Sequence, residues 1–164
     1  VVSQEAVLVQ GSIAENISLG CEGATRESII VAAQRAHADA FIRALPQGYD
    51  TTVAEQGMSL SGGQRQRIAI ARAALRDPTV LLMDEATSQV DADSERQIND
   101  AIREFGEGRT VITVAHRLST VLAADWIVVM DQGRVVDRGT HAELMERCGV
   151  YRAIASSQLM TATA

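Results

Sequence analysis

Apolar and polar residues along the chain follow two periods, one helical and one strand-like. Ile29, Ala32, Ala33, Ala36, Ala40 and Phe41 recur at helical spacing. Thr25 stands at a capping position, Glu27 suits a first turn, and Pro46 and Gly48 lie past Leu45, so the pattern predicts one helix over 25–45. Upstream, residues 1–3 read as the end of a strand and 14–17 as a short helical turn. A largely polar connector over 49–58 follows. Ser61-Gly62-Gly63-Gln64 then has the form of a capping box, with Ser61 at the cap and Gln64 reaching back. That helix runs to about Arg76 and stops at Asp77-Pro78. Residues 79–83 and 110–115 are short, mostly apolar runs flanked by turn residues and read as buried strands, with a helix over 93–105 between them. Residues 126–130 read as a third strand, 131–134 as a hairpin turn into 135–137, and Thr140-His141-Ala142-Glu143 as a capping box that opens a terminal helix. Strands alternating with helices predict an α/β fold whose sheet is largely parallel, with a hairpin at one edge.

Composition narrows the picture. A chain of 164 residues suffices for one domain with a sizeable core, and with 46% hydrophobic but only 3% aromatic residues that core must be built from Val, Ile, Leu and Ala. The net charge of −6 argues against broad binding to a nucleic-acid backbone. Cys21 and Cys148 are far apart and outside any Cys-x-x-Cys pattern, which fits structural thiols in a reducing compartment. No apolar run approaches a membrane span and no signal peptide opens the chain, so by its own residues it reads as soluble. All fifteen basic residues are arginine. The chain opens Val1-Val2-Ser3-Gln4, without Met, and reads as cut from a longer one.

In sheets of this class reactive groups sit beyond the carboxyl ends of strands, where Asp84, Glu85 and His116 fall. An acidic pair there suits a hydrated magnesium ion and a water: one carboxylate holds the metal, its neighbour orients or deprotonates the water. Alone, the pair is equally a strand ending in solvated acids. His116 has the position to donate to a terminal phosphate, against the commoner fate of a core or capping histidine. Gln4 is a candidate for contact with metal or water, or else an exposed amide. Ser61, Gly62 and Gly63 can aim a hydroxyl and backbone N–H groups at an anion with help from the helix dipole, or simply cap a helix. His37 and His141 have no ligand-like companions and are taken as structural. Arg65, Arg67, Arg72 and Arg76 are read as bracing the helix and solvating its face.

In order, the chain carries Gln4, LSGGQ at 60–64, VLLMDE at 80–85, SQVD at 88–91 and AHR at 115–117. That series resembles the nucleotide-binding domain of ATP-binding cassette (ABC) proteins, over nearly the whole chain. The resemblance implies a P-loop-NTPase-like α/β ABC ATPase domain, truncated, with 1–164 a partial nucleotide-binding domain: about 5–77 a helical and signature part, about 78–164 the part with the Walker B strand, D-loop and H-loop. It implies ATP and Mg2+ as cofactors. Gln4 matches the Q-loop glutamine at the magnesium site, Asp84 the Walker B aspartate, Glu85 the general base and His116 the switch histidine. Leu60, Ser61, Gly62, Gly63 and Gln64 match the signature motif, which binds the γ-phosphate of an ATP held by the opposite domain of a head-to-tail dimer. Asp91 matches the D-loop aspartate that crosses this dimer.

QEAVLVQGSIAENISLG, ALPQGYDTTVAEQG and LSGGQRQRIAIARAALRDP are similar to the exporter branch, in which Glu55 would lie in a loop near the membrane domain. This implies ATP hydrolysis that drives export, a second nucleotide-binding domain and a transmembrane domain as partners, no nucleic acid, and a place at the cytoplasmic face of the membrane. Ala54 replaces a usual glycine, and Gln89-Val90 replace the usual Ala-Leu of the D-loop. The larger departure is that no GxxxxGK[ST] loop and no lysine occur in these 164 residues, nor an upstream aromatic for adenine. Millimolar binding is only about 4 kcal/mol, and hydrogen bonds to charged groups are worth about 1.5–3 kcal/mol each. The chain alone is therefore expected not to hydrolyse ATP, and a parallel sheet without its P-loop strand is expected to leave apolar edges open. Two alternatives are a soluble ABC ATPase acting on nucleic acid, disfavoured by a gap of 57 residues (61 − 4) without heptads, and a non-enzymatic remnant that lends its signature motif to a partner.

Overall fold

Side-chain oxygens start most of the helices. Ser12 accepts from the Glu15 N–H while Glu15 accepts from the Ser12 N–H, a reciprocal capping box that opens α1 (Ile13–Ser18). Thr25 caps α2 (Arg26–Arg35) through the Ser28 N–H. The structure, a computed structural model, describes residues 1–3, 6–53, 60–84, 90–115 and 118–161. They fall into two compact units, Val1–Val114 and Ala115–Ala164.

The helix expected over 25–45 is two helices. After α2 the Ala38 N–H bonds to Ala33 O at 2.8 Å and the His37 N–H to Gln34 O at 3.0 Å, with His37 left-handed at φ 52°. This is the Schellman closure. Glycine usually fills that left-handed position, and histidine hid it from the sequence pattern. α3 (Asp39–Ala44) follows, then a single 3-10 turn (Gly48–Asp50). The short strands β1 (Gly11–Ser12) and β2 (Thr52–Val53) pair antiparallel and tie α1 to the end of that turn.

α4 (Gly62–Leu75) is the hub of the first unit, packing on α1, α2 and α5 (Ala92–Gly106). Its Ile68, Ile70, Ala71 and Ala74 are buried, and burial of each isoleucine contributes about 1.5–3 kcal/mol. β3 (Val80–Asp84) and β4 (Thr110–Val114) run parallel with Asp84 opposite Val114, so both strands end at one edge. Val2 adds a parallel bridge to Met83, with hydrogen bonds of 2.8 and 2.9 Å to Leu82 O and from the Asp84 N–H. Of residues 1–3, expected to end a strand, Val2 alone pairs, as an isolated bridge.

β3 alternates: Leu81 and Met83 lie in the core with Ile98 and Phe105 of α5, while Val80 and Leu82 are exposed beside Ile112 and Val114 of β4. Parallel sheets normally have both faces covered. Here one face is bare, and no strand among the described residues pairs with the outer edge of β4.

In the second unit, β5 (Ile127–Asp131) and β6 (Arg134–Gly139) form a hairpin of their own, so the largely parallel sheet expected from the sequence is confined to Val2, β3 and β4. Gln132 and Gly133 both have positive φ, as a two-residue type I′ turn requires. α7 (His141–Arg147) begins at the Thr140–Glu143 capping box. Two helices go beyond the sequence reading, α6 (Leu118–Leu122) and α8 (Gly149–Thr161). Val129, Leu144, Cys148, Tyr151 and Ala155 make this unit's core, and both cysteines are free thiols. No helix among the described residues is long and apolar enough to cross a membrane.

Candidate functional site

The head of α4 carries the most legible chemistry. Ser61 is extended (φ −66°, ψ 160°), and its hydroxyl oxygen accepts from the Gln64 N–H at 3.2 Å. Gln64 Oε1 accepts from the Ser61 N–H at 2.9 Å. Both side chains are thus engaged with backbone, while the Ser61 hydroxyl proton stays free to rotate towards a further acceptor. Gly62 and Gly63 occupy the first two helical positions, whose N–H groups have no intrahelical acceptor. The dipole of α4, 14 residues long, adds partial positive charge at that end. An anion placed here meets donors without any change of fold.

Asp91 caps the next helix. Its carboxylate accepts from the Ser94 N–H at 2.9 Å, and hydrogen bonds from Ser94 hold its pKa below the ordinary aspartate value. The head of α5 lies against the head of α4, because Ser94 packs on Gly63.

Arg67 fastens the two heads together. Its Nε donates to Gly63 O at 3.3 Å, its Nη1 donates to His37 O at 3.0 Å and to the Gln97 side chain, and its guanidinium stacks 4.7 Å over the Phe41 ring. Burial lowers the pKa of Arg67, and the nearby negative charge of Asp91 works against that shift. Farther along α4, Arg72 donates to Asn16 O and Val7 O, and Arg76 to Leu19 O. Arg65 donates to Leu60 O. These arginines brace the helix as expected, Arg72 and Arg76 through carbonyls of other segments. Arg67 is buried rather than solvating a face.

Asp84 closes β3 with an exposed side chain. Magnesium is held by one or two carboxylates with waters and phosphate oxygens making up the rest. A single exposed carboxylate at a strand end fits that donor set. Among the described residues no cluster of three or more His, Cys, Asp or Glu would hold a metal unaided. Gln4, Glu85 and His116, together with Glu55, lie outside the described residues, so the structure brings together the signature turn and Asp91 and describes Asp84 on its strand.

The family model for ABC transporters matches residues 1–88, more than half of the chain. The chain belongs to the ABC transporter family. The ATP-dependent lipid A-core flippase of Shewanella sp. (strain MR-4) is 55% identical over 151 residues, 92% of this chain and 25% of that protein. The multidrug resistance protein pgp-1 of Caenorhabditis elegans is 50% identical over 161 residues, 98% of this chain and 12% of that protein. A solved structure of a bacterial Atm1-family ABC exporter with ATP bound superposes with a TM-score of 0.88 at 44% identity, covering 96% of this chain and 27% of that one. This ABC chain thus spans about a quarter or less of the relatives it matches, and exporters match nearly all of it. The fold is that of an ABC ATPase domain.

Asn16 and Ser94 of this ABC architecture escaped sequence reasoning, and Arg67, read from the sequence as bracing its own helix, also reaches a second one. Asn16, fully buried, bonds Val9 through both amide atoms and receives Arg72. Arg67 and Ser94 join α4 to α5. An arginine four residues after Gly63, one helical turn on, was the available signal for the contact with Gly63 O; nothing local marks Asn16 or Ser94.

Proposed function

We propose that this chain is the signature-bearing part of an exporter's ATPase, working at the cytoplasmic face of a membrane beside a transmembrane domain and a second nucleotide-binding domain. The observation that carries this reading is the capped turn Ser61–Gly62–Gly63–Gln64, with two first-turn N–H groups that have no intrahelical acceptor and a hydroxyl proton at the positive end of α4. The likeness to an ATP-bound exporter supports ATP as the source of the anion. Bound Mg-ATP supplies the phosphoryl group and the Lewis acid. Gly62 and Gly63 donate N–H groups, and Ser61 its hydroxyl, to the γ-phosphate of a nucleotide seated on the partner domain. Asp84, with Gln4, holds the metal, Glu85 takes the proton of the attacking water, and His116 donates to the terminal phosphate. Asp91 faces the partner across the dimer.

In this reading the 164 residues on their own do not turn over ATP, since they include no phosphate-cradling GxxxxGK[ST] loop and no lysine. They hold half of a shared site. The test is steady-state ATPase activity of the transporter assembly carrying this chain. Glu85→Gln is expected to lower kcat by about a hundredfold or more, the usual worth of a general base. Turnover undiminished by Glu85→Gln contradicts the assignment.

A further inference from the structure

Gly63 raises a question that its backbone conformation does not answer. It lies inside α4 in helical conformation and is not one of the glycines with positive φ, so its backbone places no demand for glycine. Something else must exclude a side chain. A Cβ built on Gly63 would lie 2.5 Å from Ser94 Oγ and closer still to Ser94 Cβ, while Ser94 Cα is 3.8 Å away. These atoms belong to the root of a buried side chain on a neighbouring helix, and relief requires moving that helix.

We infer that Ser94 is a positioning residue: its side chain occupies the place of a Gly63 side chain and so sets the head of α5, capped by Asp91, against the signature turn. Two further contacts act at the same joint. Asp91 accepts from the Ser94 N–H, fixing Ser94 to the cap. Arg67 bonds both Gly63 O and the Gln97 side chain one turn along α5. The signature turn and the Asp91 cap are thereby one rigid piece, and a load on Asp91 is passed to the phosphate-facing N–H groups of Gly62 and Gly63. The catalytic consequence rests on the function proposed above; the packing itself does not.

The test is a double-variant cycle, Gly63→Ala, Ser94→Gly and Gly63→Ala/Ser94→Gly, in the transporter assembly carrying this chain. Gly63→Ala is expected to lower kcat by about tenfold or more, since displacement of positioning groups by about 1 Å costs up to a hundredfold. The KM for ATP is expected to stay within about threefold, because the joint orients the site rather than anchoring the nucleotide. Removing the opposing side chain in the double variant is expected to restore most of the lost kcat. A double variant as slow as Gly63→Ala overturns the inference and returns the glycine to close phosphate approach. So does a Gly63→Ala protein of unchanged kcat. The unfolding midpoints of the same proteins are read in parallel: Gly63→Ala lowers the midpoint, and adding Ser94→Gly raises it again. If wild type shows no ATPase activity, the functional reading fails while the midpoints still decide the packing; midpoints that simply add overturn it.

Discussion

At the scale of single residues, Gly62 separates helix stability from anion binding. A carboxylate in the first turn interacts favourably with the helix dipole, by about 0.3–1 kcal/mol. The same charge would repel a phosphate. Gly62→Asp is therefore expected to leave the unfolding midpoint unchanged or raised, while ATP-driven turnover of the assembly falls by about tenfold or more, equivalent to about 1.4 kcal/mol. Equal loss of stability and turnover would show that the turn serves the fold alone. Asp91 makes a second residue-level prediction. Hydrogen bonds from Ser94 depress its folded pKa, so its charge stabilises the fold above the unfolded value of about 4. That stability is lost as pH falls through the depressed value. Asn caps a helix as well as Asp does. The difference in unfolding midpoint between wild type and Asp91→Asn should therefore be present at neutral pH and shrink below about pH 4. A difference constant from pH 3 to 7 contradicts the cause given for the shift.

At the scale of elements, α4 joins the fold to the site, and Arg67 ties it to its neighbours. Arg67→Met removes the donors to Gly63 O, His37 O and Gln97. Leaving buried acceptors without their donor costs about 1–3 kcal/mol, a loss readable as a lower denaturant midpoint at unchanged slope. A loss below about 1 kcal/mol would mean that the α2, α4 and α5 junction is held by apolar packing instead. The elements themselves were legible where their chemistry is local: Ser61 and Thr140 announce capping boxes, Pro78 ends α4, and apolar runs mark β3 and β4. What escaped depends on distant partners. The break after α2 uses His37 in a left-handed position and a carbonyl that receives Arg67. The reason for Gly63 lies 31 residues away (94 − 63) in Ser94. Sequence motifs named the chemical types at the site, while the joint between its two helix heads required the three-dimensional arrangement.

At the scale of the whole molecule, the decisive feature is the small parallel sheet. Val80, Leu82, Ile112 and Val114 are 41–50% exposed on one face, beside an outer edge of β4 with no partner among the described residues. Such a face and edge invite pairing between copies. The 164-residue chain in isolation is expected to associate as its concentration rises, and Ile112→Lys to reduce that association without lowering the unfolding midpoint. Sedimentation of the two proteins side by side checks this; identical behaviour would place the association elsewhere.

In the function proposed, the 164 residues carry half of a shared ATP site and no cradle of their own for the nucleotide. Titration calorimetry of Mg-ATP into the 164-residue chain, beside a longer chain that adds a P-loop, tests it most directly. No binding tighter than millimolar is expected of the former, and clear binding of the latter. Tight binding by the 164 residues alone would contradict it, because phosphate recognition would then reside in residues other than those assigned here.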